Sequence, residues 1–92
     1  MSDVQVTLSA PLARFAANER NFTVHSGTLD EVLAEIHTRH PQLEKRLVDG
    51  SGKVLPFVSI YLGEDNIRDL PADGLTVPPR SSVLIMSAVA GG

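Results

Sequence analysis

The chain contains no cysteine. Without a thiol it forms no disulfide, holds no thiolate metal site and carries no thiol nucleophile. Aromatic residues make up only 4%, and eight Lys and Arg face eleven Asp and Glu, leaving a net charge of −3. Nucleic-acid binding needs clustered cations to neutralise phosphates. No basic stripe occurs, so nucleic acid is not an expected partner. No apolar run approaches the ~20 residues needed to cross a bilayer. Met1-Ser2-Asp3 has neither the basic start nor the apolar core of a secretory signal. The expectation is a cytoplasmic protein that does not engage a membrane.

Ninety-two residues suffice for one domain, spanning 1–92. A chain of this size buries only about 60–65% of the surface its unfolded form exposes. It can build one modest core, but hardly a core and a deep enclosed active site as well. With 42% hydrophobic and 21% charged residues the composition is that of a folded soluble protein.

From Asp3 to Ser9, Val4, Val6 and Leu8 alternate with Asp3, Gln5 and Thr7. Period two of this kind predicts a strand with one buried face, ended or edged by Pro11. Ala13 to Arg20 reads as a turn region, with Ala13, Phe15 and Ala16 able to pack locally. Phe22 and Val24 alternate in a second strand, Asn21 to His25, which completes a hairpin. Ser26-Gly27-Thr28 breaks that strand, and Thr28 with Glu31 forms a capping box. Leu29, Val32, Leu33 and Ile36 make one apolar stripe of a helix running from Leu29 to Arg39 and stopping before Pro41. Leu43 and Leu47 predict a short second helix.

Asp49 to Gly52 is a loop by composition. In the next strand, Phe57 to Leu62, Val58 and Ile60 alternate with Phe57, Ser59 and Tyr61. A tight turn over Gly63 to Asn66 follows, with a short extension at Ile67 and Arg68, and Asp69 to Ser82 reads as irregular backbone. The last strand covers Ser82 to Val89, with Val83 and Ile85 facing in and Leu84 and Met86 facing out. Hairpin, helix, strand, irregular stretch and strand give an α+β fold. If the first strand pairs with the last and one main helix crosses the mixed sheet, the arrangement is a β-grasp.

The last strand narrows into Ala88 and Ala90 and ends in Gly91-Gly92. Glycine has no Cβ, so its backbone enters a slot too narrow for any side chain. A fold gains nothing from a terminal diglycine, whereas a flexible tail over 88–92 that reaches into another protein's active site gains slimness and reach.

Phe57-Val-Ser-Ile-Tyr-Leu62, Glu64-Asp-Asn-Ile-Arg68 and the ending Ser87-Ala-Val-Ala-Gly-Gly92 resemble the ThiS/MoaD family of ubiquitin-like sulfur carriers. The likeness is strongest to the branch that serves cysteine biosynthesis. The chain has Met86-Ser87 where members of that family often carry proline. The resemblance implies a cycle in which an E1-like adenylating enzyme of the MoeB/ThiF kind uses ATP to convert the Gly92 carboxylate into an acyl-adenylate. Sulfide or a persulfide then attacks, leaving a thiocarboxylate that passes sulfur to a sulfur-accepting synthase. A metalloprotease that trims the tail or its adduct is a further implied partner. On this reading the chain is a co-substrate, binds no cofactor of its own and supplies no catalytic side chain. A modifier conjugated to lysines, or the small subunit of a molybdopterin synthase, would use the same tail.

Strand parity places Phe57, Ser59, Tyr61, Leu84 and Met86 on the sheet face away from the helix. Apolar side chains gathered on a surface mark an interaction site, and Met suits one that fits several partners. Arg68 and Arg80 are rim candidates. His37 and His40 share a helix at a chelating spacing, but no third ligand is placed. They are expected to be solvated helix-end residues that complement the helix dipole. Asp30, Glu31 and Glu35 read as dipole match and solvent face, Asp49 to Gly52 as a plain turn, and Ser59 and Ser87 lack the His and Asp that would activate a nucleophile.

Overall fold

The computed structural model describes residues 3–70 and 75–87. The tail over 88–92, with Ala90, Gly91 and Gly92, lies outside the described residues.

Strand β1 (Asp3–Leu8) buries Val4, Val6 and Leu8 completely, as the alternation requires. It pairs antiparallel with β2 (Asn21–His25). The connection between them is helical rather than a plain turn. A short helix α1 (Ala10–Ala13) begins after Ser9, whose side chain makes no capping hydrogen bond, and a 3-10 turn follows over Arg14–Ala16. Pro11, expected to end or edge the strand, instead lies in the first turn of this helix, where its fixed φ and missing N–H are suited. Leu12, Ala13 and Ala16 plug this end of the core.

Gly27–Thr28 do more than break β2: they form a short strand β3. Thr28 is also the cap of helix α2 (Leu29–Arg39). Its Oγ1 accepts the Glu31 N–H at 3.1 Å, and Glu31 Oε1 accepts the Thr28 N–H at 2.9 Å. Val32, Leu33 and Ile36 are buried in one stripe against the sheet, with Leu29 partly buried beside them. The chain leaves helical geometry at His40, the residue before Pro41, where the proline ring excludes it. Helix α3 (Pro41–Leu47) begins directly and buries Leu43 and Leu47.

Strand β4 (Val58–Leu62) turns through Gly63 and Glu64 into β5 (Asp65–Asn66), so the tight turn is a hairpin. Gly63 has φ +63°, the left-handed geometry that a two-residue hairpin loop demands. A 3-10 turn over Ile67–Asp69 follows. Within the stretch read as irregular, Thr76–Val77 form β6, which pairs with β3 and buries Val77. A two-residue pairing has no periodicity to betray it, so only the tertiary contact creates it. The last strand, β7, is described over Ser82–Ser87, and the expected boundary at Val89 lies outside the described residues.

The main sheet has the order β2-β1-β7-β4-β5. Its central pair, β1 and β7, is parallel, with Leu8 opposite Ile85. The first strand thus pairs with the last, and α2 and α3 cover one face: the mixed sheet of a β-grasp.

Candidate functional site

Strand β7 lies between β1 and β4, hydrogen-bonded on both sides, which makes it a rigid base for whatever follows Ser87. Alternation divides its side chains. Val83 and Ile85 are buried in the core with Val58 and Ile60 of β4. Leu84 and Met86 point the other way and are half-buried, opposite Tyr61 and Ser59 respectively. The expected parity is therefore the observed one. On the far half of the same face the character changes: Thr7 on β1 donates its hydroxyl to Asn21 Oδ1 on β2 at 2.9 Å. The apolar patch is confined to β4 and β7.

Register sets which patch residues lie near the end of β7. Val58 pairs with Ser87 and Ser59 with Met86, so the start of β4 flanks the end of β7. Phe57 stands just ahead of this point, in a turn closed by the Val58 N–H on the Leu55 carbonyl. It is not part of the strand as expected, and at 41% exposure it is the exposed large hydrophobic residue among those described. Arg68 donates from Nη2 to the Leu55 and Pro56 carbonyls at 2.9 and 3.4 Å. Its guanidinium thus braces the turn that carries Phe57, a role invisible in the sequence because the partners are backbone atoms twelve and thirteen residues away. Arg80 is held elsewhere. Its N–H donates to the Asp3 carbonyl at the start of β1, the opposite end of the sheet from Ser87. The structure does not bring it to the patch near the end of β7.

Among the described residues no polar or charged side chain is buried, and no group of His, Asp and Glu is placed to hold a metal. The described part therefore offers a surface rather than a reaction chamber. The histidines depart from expectation. His40 is 13% exposed, contacts Glu19 Oε1 at 2.8 Å and sets its ring edge against Phe22 at 5.2 Å. Arg39 grips the same carboxylate with two bonds of 3.0 Å and lies over Phe22. Arg39 first and His40 second hold the Glu19 pKa at about 2. His37 is half-buried, and burial pushes its pKa down. Glu35, read as solvent-facing, accepts both the backbone N–H and a ring contact of His25. Asp49 behaves as expected of a turn residue, accepting from Ser51 and Lys53.

The fold and this site define a ubiquitin-like β-grasp protein whose apolar sheet face lies beside the strand that leads to the diglycine. No protein-family profile matches the chain. It is 29% identical over 93 residues to the sulfur carrier protein CysO of Mycobacterium tuberculosis, covering 97% of this chain and all of that one. Its structure matches the crystal structure of the Amycolatopsis orientalis BexX/CysO complex with a TM-score of 0.85 and 25% identity, covering 97% of this chain and 99% of that one. The small archaeal modifier protein 1 of Haloferax volcanii matches with a TM-score of 0.80 at 20% identity, over 97% of this chain and all of that one, a likeness of fold alone. The similarity to CysO covers nearly the whole chain, in keeping with the resemblance to the ThiS/MoaD sulfur carriers.

Proposed function

We propose that this protein is a sulfur carrier serving cysteine biosynthesis or another sulfur metabolite, with the Gly92 carboxylate as the reacting group. The observation that carries the reading is the end-to-end similarity to a sulfur carrier protein. A carboxylate resists nucleophiles because its charge is delocalised and oxide is a poor leaving group. In the proposed cycle a carboxylate oxygen attacks the α-phosphorus of ATP on an E1-like enzyme and pyrophosphate departs. Hydrosulfide then attacks the acyl carbon, AMP leaves with the C–O electron pair and the proton passes to solvent. The product thiocarboxylate is anionic and a soft nucleophile, and a sulfur-accepting synthase takes its sulfur. Ala90 and Gly91 supply the slim approach, since neither has a side chain larger than methyl.

Phe57, Ser59, Tyr61, Leu84 and Met86 form the surface that the activating enzyme and then the synthase grip, with Arg68 keeping Phe57 in place. The full chain, incubated with its activating enzyme, supports ATP–pyrophosphate exchange, and the chain lacking Gly92 does not, at an unchanged melting temperature. Exchange at the full rate by the truncated chain refutes the terminal-carboxylate mechanism. Mass spectrometry of protein from its native host separates the carrier from a modifier. Exchange of one oxygen for sulfur marks the carrier, whereas branched Gly-Gly remnants on target lysines mark the modifier and overturn the reading.

A further inference from the structure

The chain is acidic overall, yet one region reverses that sign. Two adjoining open cavities, about 590 and 310 Å³, share Phe15, Pro41 and Gln42 between the 3-10 turn and helix α3. Their walls carry Arg14, Arg39, Lys45 and Arg46, half of the eight basic residues in the sequence, and no carboxylate lines either one. Glu19 nearby is committed to Arg39 and His40. Among the described residues, Arg14, Lys45 and Arg46 form no ion pair. Arg46 is held with its guanidinium 4.2 Å above the Phe15 ring, so part of the entropy of fixing it is already spent in the free protein.

We infer that this groove is a second docking surface, which takes an acidic segment of a partner protein. Carboxylates meet Arg14, Lys45 and Arg46, and an apolar side chain rests on the Phe15 and Pro41 floor. Charge complementarity commits the occupant: three unpaired cations around an apolar floor suit a few carboxylates on a peptide. A nucleic acid would need a longer basic stripe and would be repelled by the net charge of −3. The position has a functional sense that rests on the carrier reading above. The Ser9 N–H bonds the Ile85 carbonyl, so the segment leading to Phe15 starts at the end of the sheet where β7 finishes. A protein that works on the tail would meet the groove on the helical side and the apolar patch on the other face.

The test is a titration of the isotope-labelled full chain, followed by amide chemical shifts, with a short peptide alternating Glu and Leu at low salt. The expected result is shifts clustered at residues 14–15 and 39–46. Affinity should fall about tenfold in Arg14→Gln/Lys45→Gln, and again on raising salt to about 0.5 M. Both substitutions are at exposed positions, and circular dichroism checks that the fold is kept. Shifts confined to 57–61 and 84–87, no shift at millimolar peptide, or equal affinity in the double variant overturn the inference. So does an oligonucleotide of similar length that binds as tightly, since the groove would then be a general polyanion site. The titration uses neither ATP nor an activating enzyme, so it reads the groove whatever Gly92 does.

Discussion

Ile85 and Met86 are consecutive residues of one strand, and the sheet assigns them opposite duties. Ile85 is wholly buried and sits opposite Ile60 and Leu8. Truncating such a residue to Ala removes its transfer free energy and leaves a cavity, at a cost of about 2–5 kcal/mol. A chain of 92 residues has a total stability of roughly 5–14 kcal/mol. At about 4–8 °C per kcal/mol, Ile85→Ala should lower the melting temperature by roughly 8–40 °C. Met86 is half-buried on the outer face opposite Ser59. In Met86→Asp the new carboxylate stays in water, and the loss is limited to strand preference and some packing, about 1 kcal/mol. Bound to a partner, that same carboxylate is buried without a counter-charge, a penalty of about 2–5 kcal/mol. At 1.4 kcal/mol per tenfold, affinity should fall at least ~30-fold. Thermal melts by circular dichroism and titration calorimetry with the activating enzyme measure the two quantities. Comparable melting losses for both variants, or Met86→Asp with unchanged affinity, refute the assignment of the outer face as the partner surface.

Thr28→Ala removes the hydroxyl that accepts the Glu31 N–H. The lost cap should cost about 1 kcal/mol, read as a fall in the urea midpoint with an unchanged m-value. Glu19 gives a pH-dependent counterpart. Its folded pKa of about 2 lies below the ordinary glutamate value of about 4.5, so the unfolded chain binds the proton more tightly between these values. The stabilisation is therefore fully present above about 4.5 and is lost as pH falls through about 2. Glu19→Gln should be less stable than the parent at pH 7, and the gap should close in urea melts as pH is lowered toward 2. A gap that stays constant with pH would show that Arg39 and His40 do not depend on the Glu19 charge.

Local signals carried most of the fold. The alternation in β1 and β2, the capping box and stripe of α2, and the apolar pair in α3 each lie within a few residues, so the sequence alone determined those elements and the parity of β4 and β7. The sequence also singled out the diglycine by its residue type alone, and those two residues lie outside the described part of the structure. Tertiary structure decided what depends on distant partners. The pairing of Gly27–Thr28 with Thr76–Val77 joins segments too short to show any period. Phe57 sits in a turn that Arg68 braces by binding the carbonyls of Leu55 and Pro56. Glu19 meets Arg39 and His40 from twenty and twenty-one residues away, so a histidine expected in water packs against Phe22. The basic groove at Phe15 exists only because α3 folds back onto the 3-10 turn. Periodicity is written along the chain, but contacts between remote segments come into being only when the core draws them together.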